Sequence, residues 1–483
     1  MGSDNARAAA LAMDAATFRT LGHRLIDQLA DCLDAVPRGP VTHAESPSAI
    51  RAALDLSGDL PESGCEPGPL LENTTRLLFA HSLFNAHPRF FGYITSPPAP
   101  IGILADLVAA AANPNVGSFA LAPAATEIES QTVRWIAQLV GYPVDCGGLL
   151  VSGGNMANLT CFLAARHARR GIERARVYTS SETHTWIQKA ADMSGIGQEA
   201  IRWIPADADM RMDVSALRRQ LEADTAAGDA PMIVVATAGT VSTGAVDPLG
   251  EIAAVCRQHN VWFHVDGAYG GFAAVVPDAP PDLHRLHEAD SIAVDPHKWL
   301  YAPLEAGCAL VRDSNALRSA FAHHPSYYHF QERTTNYSEQ GPQNSRGFRA
   351  LKVWLALRHA GAAGYRRMIA DDMGLSKAMA AAVSRHPDLE LFTQGLSITT
   401  FRYAPRHLRD ALPPEDLDRR LDALNRDLLD RLQCEGNLFV SNAVVRGRYV
   451  LRACVVNFHT SAADVEAVPE IVVRAARGLD RSA

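Results

Sequence analysis

At 483 residues, with 47% hydrophobic and 20% charged residues, the chain has a globular composition and the length of two or three domains. A formal charge of -8 without a basic cluster argues against a nucleic-acid surface. No run reaches the roughly 18 apolar residues of a membrane span, since even "IGILADLVAAAA" is broken by Asp106, and the N-terminus carries no charged region followed by an apolar signal core. These features predict a cytoplasmic protein. The eight cysteines are scattered without CxxC or paired Cys/His spacing, so reduced thiols and no metal site are expected.

Residues 14 to 35 place Phe18, Leu21, Leu25, Leu29, Cys32 and Leu33 on one helical face behind an Asp14 cap, and Pro37 closes the segment. Such a helix must cover its apolar face on the body of the protein or on another subunit. A Pro/Gly/Ser-rich passage follows to about Pro69. From Thr126 the pattern changes to helices alternating with short β-rich runs. "TEIE" has the Thr126/Glu129 spacing of a capping box and predicts a helix to about Val140. Helices are then expected at "MANLTCFLAARHARR", after His184, at "VSALRRQLEA" and at "PLGEIAAVCRQHN", with strands at "ARVYTS", "IRWIPA", "MIVVATAG", "VWFHVD" and "SIAVD". This alternation reads as a doubly wound α/β layer with a mostly parallel sheet, in which ligands sit beyond the carboxyl ends of the strands. After the helix at "RALKVWLALRHAG" it weakens, and "LSITTFRY", "YVLRACVVN" and two long helical stretches point to a smaller α+β domain.

Four stretches carry chemistry. "LLVSGGNMANLTCFLAAR" sets Ser152, Gly153, Gly154 and Asn155 between an apolar run and a helix, which makes either an ordinary glycine turn or a phosphate cradle at a helix N-terminus. It is neither a P-loop nor GxGxxG, which leaves a small phosphorylated cofactor as the candidate ligand. "SSETHTWIQKAA" offers His184 as a helix cap or as an aromatic plane. "VWFHVDGAYGGF" delivers Asp266 from the end of an apolar strand, either to cap the next turn or to meet a cation. "SIAVDPHKWLYAPLEAGCALVRD" places Lys298 at a strand mouth, as a solvated charge or as a functional amine beside the desolvating surface of Trp299.

Taken in order, these residues resemble the group II pyridoxal-phosphate decarboxylases, whose best-known members act on aromatic L-amino acids. The matching stretches are "HPRFFGY", "PAATEIE", "VSGGNMANL", "ATAGTVSTGAVDP", "FHVDGAYGG", "DPHKWL" and "FRALKVW", spanning residues 87 to 354. The resemblance implies a fold type I, PLP-dependent transferase-like α/β domain over residues 87–365. It adds an N-terminal helical dimerisation segment over 1–86 and a small C-terminal α+β domain over 366–483. It also implies a homodimer with active sites at the subunit interface.

The resemblance further implies that Lys298 condenses with the aldehyde of pyridoxal 5'-phosphate, that Asp266 holds the pyridine nitrogen protonated, and that His184 and Ala268 flank the ring. Gly154, Asn155, His297 and Asp295 fall near the phosphate. The chain departs from the family pattern at Val241, where Thr240 or Ser242 would stand in for a family threonine, and at Arg346–Gly347–Phe348–Arg349, where the family has "RRFR".

For the substrate, the resemblance points to Tyr93, Thr95, Ser96, Phe119 and Ser345, the last tilting the reading towards tyrosine or dihydroxyphenylalanine. Arg89 stays open as the cation that a glutamate, aspartate or sulfinate decarboxylase would need. The polar stretch Phe321 to Ser345 reads as a lid. Within it Tyr327 falls where decarboxylases carry a tyrosine that protonates Cα and aldehyde synthases a phenylalanine, with Tyr328 next to it. The expected activity is decarboxylation of an aromatic L-amino acid to its amine. The alternatives are an aldehyde synthase, a decarboxylase for a non-aromatic amino acid, and an inactive dimeric scaffold.

Overall fold

The computed structural model describes residues 9–56, 58–323 and 334–480. The chain opens on α1 (Ala15–Ala35), and the Asp14 carboxylate accepts from the amides of Ala16 and Thr17, as the sequence predicts. Helix α2 (Pro67–Ala80) lies against it, with Leu21 over Gly68 and the Gln28 amide donating to Glu72 O at 3.0 Å. No residue of α1 is fully buried: Leu21, Leu25, Leu29, Cys32 and Leu33 are half-buried, while Phe18 and Ile26 stay exposed in the single chain.

Next come α3 (Pro100–Ala112) and α4 (Pro123–Leu139). The expected capping box does not form. Pro123 starts α4 three residues earlier, as a proline fits the first turn, and Thr126 and Glu129 lie buried inside the helix. Glu129 instead accepts from Leu150 N–H at 2.9 Å and pairs with Arg346.

Seven strands form the main sheet: β1 (Gly147–Val151), β2 (Ala175–Ser180), β3 (Ile201–Ile204), β4 (Ala230–Thr237), β5 (Trp262–Asp266), β6 (Ser291–Val294) and β7 (Gly307–Val311). Their order is β1-β7-β6-β5-β4-β2-β3. From β3 to β6 the neighbours are parallel, whereas β7 is antiparallel to both β6 and β1. Helices α5 (Gly154–Ala168) and α6 (Trp186–Met193) help cover the sheet, and buried Val265, Ile292 and Leu310 contribute about 1.5–3 kcal/mol each. The carboxyl ends of β1, β4, β5 and β6 share one edge. At that edge the β6 to β7 connection carries the single turn α7 (Pro296–Trp299).

Helix α8 (Ala350–Arg385) leads from this layer to the second one and breaks at Gly361, whose φ of 64° suits glycine. The second layer is an antiparallel sheet in the order β10-β11-β9-β8, from β8 (Leu389–Gly395), β9 (Ile398–Tyr403), β10 (Ser441–Val445) and β11 (Arg448–Cys454). It is covered by α9 (Pro414–Glu435) and α10 (Val468–Asp480) around Phe401, Leu428, Leu451 and Val472. Ile398, Cys454 and Val456 belong to the core of the large layer, which joins the two units. No helix among the described residues is long and apolar enough to cross a membrane.

Candidate active site

A cavity of about 310 Å³ opens at the carboxyl edge of the main sheet. It gathers Ser152, Gly153, Gly154, Asn155, His184, Asp266, Ala268, Asp295, His297 and Lys298, residues spread over nearly 150 positions of sequence.

One end is built by the β1 to α5 turn. The first amides of α5 have no intrahelical acceptor and point to the turn, and a Cβ on Gly154 would lie 2.8 Å from Asp295 Oδ2 and 3.1 Å from Ala268 Cβ. Only glycine permits that approach. The His297 ring stands beside this turn, its Nδ1 accepting from Ala306 N–H at 3.2 Å and its Nε2 3.7 Å from Asp295 Oδ2.

At the other end, β5 delivers Asp266. Its Oδ2 accepts from the Trp186 indole N–H at 2.7 Å and its Oδ1 from Ala268 N–H at 3.1 Å. Between the two ends α7 lifts Lys298, whose Nζ lies 3.1 Å from Asp295 Oδ2 one helical turn earlier. Two buried atoms facing this region, Asp295 Oδ1 and Thr237 Oγ1, have no hydrogen-bond partner among the described residues.

Burial lowers the pKa of His184 and of His297 below the ordinary histidine value, with Asp266 and Asp295 respectively pulling the other way. Both rings are therefore neutral near pH 7. The His184 Nδ1 accepts from Trp186 N–H at 3.3 Å, which leaves its Nε2 to carry the proton.

Several expected residues lie elsewhere. The Thr240 hydroxyl turns inward to Thr243 at 2.9 Å, and Ser242 donates to Glu182; neither lines the cavity, whereas Gly239 and Val241 do. Trp299 supplies no surface to Lys298, because its indole donates to Asp372 and stacks on Tyr269 in the core. Tyr93, Thr95, Ser96, Phe119 and Ser345 do not line this cavity, whose wall on that side is Ile94. Tyr93 and Ser345 are exposed in the single chain, while Ser96 is buried and donates to His297 O at 2.9 Å. Arg89 is likewise absent from the lining. Tyr327 and Tyr328 lie outside the described residues.

Sequence reasoning missed Thr237, Asn158, Trp186 and Arg452. The last is one of several buried cations and lies outside the cavity lining. Arg452 on β11 is 3% exposed and donates to Tyr93 O at 3.1 Å and Ser441 Oγ at 3.0 Å, while its Nε and Nη2 have no acceptor among the described residues. Burial lowers its pKa from the ordinary arginine value. The reading of basic charge as unclustered is also corrected. Arg166, Arg169, Arg170, Arg174 and Arg176 line a separate cavity of about 740 Å³, where Asp229 pairs with Arg174 and with Arg176 at 2.7 Å.

Chemically, the main cavity offers an anion seat at a helix N-terminus, a carboxylate opposite it, and a primary amine and neutral imidazole between. The description "Pyridoxal-dependent decarboxylase conserved domain" matches residues 52–404. An aromatic-L-amino-acid decarboxylase of Bacillus atrophaeus is 34% identical, over 93% of this chain and 94% of its own length. A phenylacetaldehyde synthase of Petunia hybrida is 29% identical over 92% and 91%. The crystal structure of Oryza sativa TDC with PLP and tryptamine superposes with a TM-score of 0.90 at 29% identity, covering 97% of this chain and 99% of that one.

Proposed function

The chain belongs to the pyridoxal-dependent decarboxylase family, and from that premise we propose that it converts an aromatic L-amino acid to its amine and carbon dioxide. It is a PLP-dependent amino acid decarboxylase; the aromatic substrate is the inference. The residues present fit the cofactor. The Gly154 approach and the free α5 amides suit a phosphate, and the carboxylate of Asp266 suits a pyridinium N–H. Unpartnered Thr237 Oγ1 and Asp295 Oδ1 are acceptors or donors that the described chain leaves unused.

Bound there, pyridoxal phosphate supplies an aldehyde for amine capture and an electron-withdrawing ring that stabilises negative charge at Cα as carbon dioxide leaves. In this reading the Lys298 amine would hold the cofactor through its aldehyde. Asp266 keeps the ring nitrogen protonated. Neutral His184 closes one face of the cofactor ring and Ala268 the other. Gly154 and Asn155 hold the phosphate end, with His297 and Asp295 beside it. Tyr327 returns a proton to Cα, a role that rests on its sequence position.

The aromatic assignment is supported by the named relatives. We extend the proposal to a cytoplasmic homodimer, with residues 1–86 clasping the partner, 87–365 holding the cofactor and 366–483 forming the small domain. The uncovered apolar face of α1 and α2 supports it: Phe18 is 63% and Leu78 56% exposed. A phenylacetaldehyde synthase relative favours oxidative deamination as the second reading.

The observation that carries the proposal is the convergence of Lys298, Asp266, His184 and the Gly154 turn on one cavity. A panel of L-amino acids, read together for carbon dioxide, amine and aldehyde, tests it. Amine and carbon dioxide in equal amounts from aromatic substrates support it, and turnover confined to acidic amino acids overturns the substrate class.

A further inference from the structure

We propose that Trp186 is a positioning residue for the cofactor, acting through Asp266; this rests on the cofactor-binding reading above. The indole is 2% exposed and donates its single N–H to Asp266 Oδ2 at 2.7 Å. An indole N–H cannot accept, and neither can the Ala268 amide on Oδ1. Two pure donors at fixed positions therefore set the plane of the carboxylate and occupy one lone pair on each oxygen. What remains open is directed into the cavity, where a ring N–H must arrive.

The indole is itself held on several sides. It meets the rings of Phe162 and His264 edge to face, at centroid distances of 6.5 and 5.8 Å. His264 is fixed in turn, with Nε2 2.7 Å from Asn158 Oδ1 and Nδ1 2.8 Å from Ser291 Oγ, which also accepts from Trp262 Nε1 at 2.9 Å. Burial pushes its pKa down to about 4, so the ring stays neutral beside Trp186 and adds no competing charge. Trp186 also gives its backbone amide to His184 Nδ1, so one residue orients both the carboxylate and the imidazole. Without the indole donor the carboxylate can rotate about its χ2 bond, and its hold on the ring nitrogen weakens.

The test is cofactor binding by the apoprotein, followed by fluorescence quenching and by uptake at equilibrium. Trp186→Phe keeps an aromatic ring but removes the N–H together with part of the indole volume, two effects that the analogue comparison below separates. Its dissociation constant for pyridoxal phosphate is expected to rise about tenfold, the usual scale for one hydrogen bond to a charged group. The same comparison is made with the analogue in which carbon replaces the ring nitrogen. That analogue has no partner for Asp266, so the penalty should vanish. An equal penalty for both ligands means that Trp186 acts only through packing and overturns the proposal, as does unchanged affinity for both.

If the unsubstituted apoprotein takes up no pyridoxal phosphate, the cofactor reading fails rather than the role of Trp186. Should Trp186→Phe not fold, fluorotryptophan-labelled unsubstituted protein gives the same comparison. The resonance that Asp266→Asn displaces must move more with pyridoxal phosphate than with the analogue, and equal shifts overturn the proposal.

Discussion

Arg346 and Glu129 form a fully buried ion pair that grips both sides of one residue of β1: Glu129 accepts from Leu150 N–H at 2.9 Å, and Arg346 donates to Leu150 O at 2.6 Å. Arg346 also reaches Val116 O at 2.9 Å and lies 4.7 Å from the Tyr337 ring centroid. The pair thus pins the strand that ends in the Gly153–Gly154 turn. Removing one partner leaves the other charge buried and unpaired. Arg346→Ala is expected to lower unfolding stability by about 3–5 kcal/mol in denaturant titration and to loosen cofactor binding in parallel.

Lys298→Ala should abolish carbon dioxide release while the thermal midpoint moves little, because the change removes a side chain at a cavity wall and costs about 1 kcal/mol. In the unsubstituted protein, borohydride reduction followed by peptide mass spectrometry should find the pyridoxyl group on Lys298. Multiple turnover by purified Lys298→Ala would contradict its assignment.

His264 makes stability depend on pH in a stated direction. Burial pushes its folded pKa down to about 4, against an ordinary 6.5, so between those values the unfolded chain binds the proton and the folded one does not. Stability from this group is complete above about pH 6.5 and falls by about 3 kcal/mol as pH drops to 4. Asp247 and Asp372, which burial pushes up to about 6 and about 7, tilt the opposite way across much of that window. The difference between the wild-type and His264→Gln stability profiles isolates the histidine and should close as pH approaches 4.

Tyr327→Phe should lower the amine yield and raise aldehyde, ammonia and hydrogen peroxide, with oxygen consumed. The carbanion at Cα then meets oxygen instead of a proton donor. An oxygen electrode alongside product analysis reads this directly. An unchanged amine yield without oxygen uptake moves the role to Tyr328.

The uncovered face of α1 and α2 should be an interface. Sedimentation is expected to give a dimer, and Phe18→Glu combined with Leu78→Glu should shift it to monomer with loss of activity. Each apolar side chain otherwise buried there is worth about 1.5–3 kcal/mol. A fully active monomer of the unsubstituted chain would remove this interface.

The strand-end residues were legible because local sequence marks them: Gly154 follows an apolar run and opens a helix, and Asp266 and Lys298 each stop a β-rich segment. Strand and helix positions followed for the same reason, with Pro123 overriding the Thr126 capping pattern. That the Thr240 hydroxyl meets Thr243 three residues on is a contact no spacing rule reveals. Trp186 reads as a core aromatic and Arg452 as one residue of an alternating strand. Their significance depends on what stands across space, Asp266 in one case and an absence of acceptors in the other. The substrate wall was least legible, since Tyr93 and Ser345 are exposed in the single chain and lie outside the cavity lining.

The antiparallel strand β7 lies between β1 and β6, although it is the last of the seven to be synthesised. A nascent chain that has left the ribosome only as far as β6 gives β1 no neighbour in the sheet, and the turn after β1 then lacks the backing of Gly307. The contacts of Gly307 with the backbone of Gly153 belong to that same late step. Sheet closure across such sequence separations is slow relative to local helix formation. The cavity's phosphate-end turn is therefore complete only once β7 has joined the sheet between β1 and β6.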